Sequence, residues 1–134
     1  MLTSKLVFTQ YLLAGNDHAS ADKLRELSTS PHECIRRRVA ENVAAPVDVL
    51  STLLNDERPD VRQSLSENPS VPGIFLQKLA LDENSDVRFA LAGNVAMPAE
   101  VLNALRWDQN PYVAHRATQT LDRVSNQRSF AMAS

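Results

Sequence analysis

Cysteine, glycine and aromatic residues are all scarce in this 134-residue chain. A single cysteine, Cys34, excludes an internal disulfide and a cysteine-held metal or iron–sulfur centre, and it fits a reducing compartment. Three glycines leave no glycine-rich loop to cradle a phosphate, and neither a nucleophile elbow nor a paired-carboxylate motif occurs. Aromatic residues make up 5%, so the core has to be aliphatic. No apolar run reaches membrane-spanning length. The stretch Met1 to Phe8 lacks the basic region, sustained apolar run and small-residue cleavage site of a secretory leader. Charge of neither sign dominates. The formal net charge is −2, with seven Lys/Arg against nine Asp/Glu in residues 1–60 and seven against seven in 61–134. That balance argues against generic phosphate-backbone binding, although it leaves room for a local basic patch. The expectation is a soluble, cytoplasmic protein.

What the chain does have is a period. Starting from Thr9, Ile35, Val61, Val87 and Val113, each start lies 26 residues after the one before. The eighth position of each full repeat is then Asn16, Asn42, Asn68 and Asn94. The sixteenth is Leu24, Leu50, Leu76 and Leu102, and the nineteenth is Leu27, Leu53, Leu79 and Leu105. Periods of this size signal a helical solenoid, in which a repeat buries its apolar face only against its neighbours.

Within a repeat, the pairs Ile35/Val39, Val61/Leu65 and Val87/Leu91 are spaced four apart, which predicts one buried face of a short helix. The asparagine column predicts its stop, since Asn tolerates the left-handed conformation and its amide can satisfy loop groups. Gly15 and Gly93, each just before an asparagine, strengthen that stop. Pro46, Pro72 and Pro98, with Ser20 in the same column, predict the first turn of a second helix that carries the two leucine columns. Ser30, Asp56, Asp82 and Asp108 read as N-caps of the next repeat, and Ser30-Pro31-His32-Glu33 reads as a capping box. An opening helix is expected over 2–14, and a closing helix is expected to run on to about Arg123–Gln127.

The segments Val61-Arg62-Gln63-Ser64-Leu65-Ser66-Glu67-Asn68-Pro69-Ser70-Val71-Pro72 and Val87-Arg88-Phe89-Ala90-Leu91-Ala92-Gly93-Asn94 carry a family likeness. With the Pro, Leu and Asp columns that follow them, they resemble the leucine-rich repeat variant family. More broadly they resemble HEAT-like repeats, through Asp60-Val61-Arg62 and Asp86-Val87-Arg88. The resemblance spans roughly residues 9–120. It implies an all-α, right-handed α/α superhelical solenoid of about four 26-residue two-helix repeats plus capping helices, with α- and 3₁₀-helices alternating and no strands. One domain over residues 1–128 and a frayed tail over 129–134 follow. The founding member's iron–sulfur cluster sits in a separate cysteine-bearing region, and with Cys34 alone no cluster is carried over. The family shares no catalytic activity, so the resemblance implies a scaffold without cofactor or metal.

Two sets of residues are candidates for function. Arg36, Arg62 and Arg88 recur at repeat spacing, as do Asn16, Asn42, Asn68 and Asn94. The arginines could grip carboxylates or phosphates, yet residues fixed by the repeat are expected to form internal ladders, each arginine meeting acidic or carbonyl groups of neighbouring repeats, for example Asp60 or Asp86. The variable third and fourth positions are where partner-specific residues belong. There Arg37, Arg38, Gln63, Phe89, His115 and Arg116 are expected to form a strip on the concave face that binds a protein or peptide. Trp107 is expected to fill the C-terminal core, and Cys34 to be a packed thiol. His18, His32 and His115 lack partners at metal-ligand spacing and are expected on the surface. The reading is a non-catalytic interaction scaffold, with a HEAT-like nucleic-acid-binding protein using an arginine-lined concave face as the alternative.

Overall fold

The computed structural model describes residues 2–133, and all regular structure among them is helical. Nine α-helices follow in chain order: α1 (Leu2–Ala14), α2 (Ala21–Leu27), α3 (Glu33–Glu41), α4 (Val47–Leu54), α5 (Pro59–Ser64), α6 (Gly73–Leu79), α7 (Ser85–Ala92), α8 (Ala99–Leu105) and α9 (Pro111–Ala133). A 3₁₀ turn, Leu65–Glu67, extends α5. The chain groups into two compact units, Met1–Phe75 and Leu76–Ser134, divided within α6.

In the first unit α3 lies against both α1 and α5, with α2 and α4 packed beside α3 and α5. The pairs Ile35/Val39 and Val61/Leu65 and the leucines Leu24, Leu27, Leu50 and Leu53 are buried there. In the second unit α7 and α8 both pack on α9, burying Leu79, Val87, Leu91, Leu102, Leu105 and Val113. Each fully buried leucine of these columns contributes about 1.5–3 kcal/mol relative to exposure. The sequence period therefore marks the core in both units.

Several local expectations need correction. The second helix of each pair is α rather than 3₁₀, because its buried positions fit a 3.6 period: Val49, Leu50, Leu53 and Leu54 in α4, and Val101, Leu102 and Leu105 in α8. Helices do stop at the asparagine column, but no described residue has positive φ, and Asn42 and Asn68 are extended at φ −80 and −92. The column's work is done by side chains instead. Pro46 and Pro98 sit one place earlier than expected, as N-caps, while Pro59 occupies the first turn of α5.

The aspartate column lies two residues before the N-caps Arg58 and Asn84 and before Asn110, the residue preceding α9. Asp56, Asp82 and Asp108 accept the backbone N–H of those residues at 2.9 Å each, closing a turn rather than capping a helix. Ser30 does the same for His32 at 3.1 Å, so the capping box is not formed. The closing helix α9 continues to Ala133, and residues 129–133, expected to fray, are helical. No helix among the described residues is long and apolar enough to cross a membrane.

Candidate functional site

The positions that the repeat dictates are used up internally. Asn42 donates its side-chain amide to the carbonyls of Ala14 and Asn16, at 2.8 and 2.9 Å, and accepts the N–H of Ala44. Asn68 repeats the arrangement one period on, donating to Ala40 and Asn42 and accepting from Ser70. Asn16 and Asn94 accept the N–H of His18 and Ala96 in the same way. In the second unit Thr120 stands in the asparagine column and gives its hydroxyl proton to Ala92 at 2.6 Å. Buried carbonyls at helix ends have lost water, and each rung satisfies them from the next repeat.

The arginine column is also internal, Arg36 and Arg88 each meeting an acid and a carbonyl, though the acids are Asp56 and Asp108 and not the examples Asp60 and Asp86. Arg36 grips Asp56 through Nε and Nη2 at 2.8 and 3.2 Å and gives Nη1 to the Ser30 carbonyl. Arg88 holds Asp108 in the same fork and gives Nη1 to the Asp82 carbonyl. Arg62 gives Nη1 to the Asp56 carbonyl at 2.7 Å. Asp60 and Asp86, four or more residues along, sit in the first turns of α5 and α7. The bond from Asp56, opposed by burial and helped by its charge, holds the Arg36 guanidinium above its ordinary value. Burial alone would raise the Asp108 carboxyl. The bonds from Arg88 and the Asn110 N–H, with the Arg88 charge, outweigh it and leave the group below its ordinary value.

The variable positions divide into two sets. Arg37 on α3 and His115 on α9 are exposed, Gln63 on α5 is half-buried, and none makes a side-chain hydrogen bond or ion pair among the described residues. The remaining three join residues that the sequence pattern did not single out together. In the first unit the Arg38 guanidinium lies 4.9 Å from the centre of the Tyr11 ring, and a Cβ on Gly15 would come within 2.8 Å of its Nε. In the second unit Arg116 lies 5.8 Å from the Phe89 ring, and a Cβ on Gly93 would come within 2.9 Å of its Nε. Both glycines have negative φ, so their small size serves the arginine, not the turn.

The Nε atoms of Arg38 and Arg116 are both buried without a hydrogen-bond partner, which costs about 1–3 kcal/mol for a group that has lost water. The two clusters differ in charge. Arg38 has Glu41 at 3.6 Å three residues on, whereas the matching position after Arg116 is Gln119, and Arg116 forms no ion pair among the described residues. The signal for both was in the sequence: an aromatic residue, glycine four on, asparagine five on, and arginine twenty-seven on. Repeats without that arginine carry glutamate where the glycine stands, as Glu41 with Ser64 and Glu67 with Ala90.

Two other expectations are overturned here. Trp107 is 79% exposed, with the Arg106 guanidinium 5.4 Å from its ring, because it falls outside the buried leucine register of α8. It flanks a groove of about 450 Å³ lined by Gln77, Leu81, Glu100, Ala104 and Asp108. Cys34 is exposed, one place before the buried Ile35, and lines a shallow apolar hollow of about 430 Å³ with Val7, Phe8, Tyr11 and His32. The three histidines are exposed. Among the described residues no group of three His, Cys, Asp or Glu side chains is placed to hold a metal ion.

Comparison with protein-family models, curated proteins and solved structures found no match.

Proposed function

We propose that this chain is a non-catalytic, cytoplasmic scaffold of about four 26-residue helical repeats, wound as a right-handed solenoid of the leucine-rich repeat variant kind. Its first helices present a strip to a protein or peptide partner. One observation carries the reading. The polar residues that recur with the repeat bond to the chain itself, whereas the residues that vary at the third position, Arg37, Phe89 and His115, stay exposed. A repeat protein encodes its partner in the positions its own packing does not claim. The arginine column supports a protein partner over nucleic acid, since Arg36 and Arg88 are already neutralised by Asp56 and Asp108.

The test is affinity capture from nuclease-treated and untreated host lysate, with an Arg37→Glu/Phe89→Ala variant alongside. A protein retained after nuclease and lost in the variant supports the scaffold. Capture of nucleic acid alone, released steeply with salt, would transfer the function to the arginine-lined alternative.

A further inference from the structure

The three residues Phe89, Gly93 and Arg116 make a site with one unmet charge. The guanidinium packs against a ring that is 43% exposed, and it is held close to the bare Cα of Gly93. It forms no ion pair among the described residues, and its Nε is buried without a hydrogen-bond partner. Elsewhere, in a different column, arginines of the same chain show what a guanidinium takes. Arg36 and Arg88 each hold one carboxylate through two nitrogens at 2.8 and 3.2 Å. Arg38, the counterpart of Arg116, has Glu41 beside it. Of the pair Arg38 and Arg116, Arg116 is therefore the one that forms no ion pair among the described residues.

We propose that Arg116, backed by Phe89 and seated on Gly93, is the pocket that receives an aspartate or glutamate carboxylate from the partner peptide. A planar fork suits a carboxylate, and a ring behind it fixes the guanidinium plane and limits its hydration. A phosphate dianion is a poorer match, since the cluster offers one fixed cation. The inference rests on the scaffold reading and names the chemistry its partner must bring.

The test is a titration of the full chain with an acetylated, amidated triglutamate peptide, following the Arg116 Nε–H signal by NMR. Triglutamine peptide and inorganic phosphate serve as comparators. The expected result is a saturable shift with triglutamate, none with triglutamine and a weaker one with phosphate. Arg116→Gln should weaken binding at least tenfold and Phe89→Leu severalfold, while Arg123→Gln, on the exposed part of α9, should leave it unchanged. Arg116→Lys keeps the charge without the fork and is expected to bind less well than the parent. It serves as the decisive variant if Arg116→Gln does not fold. No shift, an equal shift with triglutamine, tighter binding of phosphate, or undiminished binding in a folded Arg116 variant each overturns the carboxylate pocket. Protein capture that succeeds while this titration fails removes the pocket and leaves the scaffold. A successful titration with no captured protein does the reverse.

Discussion

Asn42 has less than a tenth of its surface exposed and makes three hydrogen bonds, two of them across to the preceding repeat. Replacing it with alanine orphans the Ala14 and Asn16 carbonyls and should cost about 1–3 kcal/mol in urea unfolding. Asn42→Asp keeps the acceptor for Ala44 but turns lone pairs toward two carbonyls. It should be the worse of the two at pH 7 and recover in acid, where a protonated carboxyl can donate. Equal losses at both pH values would show that donation is not what the residue supplies. Gly15 supports a second test. Alanine in place of glycine ordinarily stabilises by about 0.4–1 kcal/mol where φ permits. Here the new Cβ meets the Arg38 guanidinium, so the gain should appear only in an Arg38→Ala background. Additive effects in that cycle would show that Arg38 moves aside freely. Residue spacing singled out Asn42 as a helix stop. It could not tell a left-handed stop from a cross-repeat donor, because both leave the same mark at one position and differ only in what lies 26 residues away.

Helices were the most legible level, since their periods follow directly from burial. α1, the stops before the asparagines and the buried leucine columns all agree with the apolar spacing. Caps were less so: serine, aspartate and proline suit several turn positions, and the aspartates that read as caps turned out to be arginine partners two residues upstream. Leu79, with 1% of its surface exposed, tests the packing of these helices. Leu79→Ala should lower unfolding free energy by about 2–5 kcal/mol, and a loss below 1 kcal/mol would mean that the second unit closes the cavity by rearranging. α9 should be uneven along its length. Its buried residues are Val113, Ala117 and Thr120, while 125–133 are exposed. Amide hydrogens beyond Val124 should exchange much faster than those of 115–121, and uniform protection would imply that the distal half is covered in solution.

Taken whole, the chain has near-balanced charge, so its pH response depends on a few buried pairs rather than on overall repulsion. Asp108 sits below its ordinary value in the fold. Its contribution is therefore fully present above the unfolded value of about 3.9 and is lost as pH falls through the lower folded value. Asp108→Asn should be less stable than the parent at pH 7, with the difference shrinking below about pH 4. Urea midpoints at pH 7 and pH 3 decide it, and a pH-independent difference would assign the loss to the turn at Asn110 instead of the charge. The candidate strip was legible as a set of variable positions, while the pairing of Arg116 with Phe89 was not, since it joins two helices through a glycine that also resembles a stop signal.

The asparagine rungs bear on how such a chain can lengthen across generations. Asn68 donates to the main-chain oxygen of Asn42, and Asn42 to that of Asn16, each 26 residues back. A tandem duplication of one period supplies every new rung with both a donor and an acceptor, so a longer gene product requires no contact that did not already exist. An increment that is not a whole number of periods strands a buried carbonyl at the seam. Thr120 answers Ala92 with a hydroxyl that has one proton to give, and so a copy templated from it would pass on only half a rung.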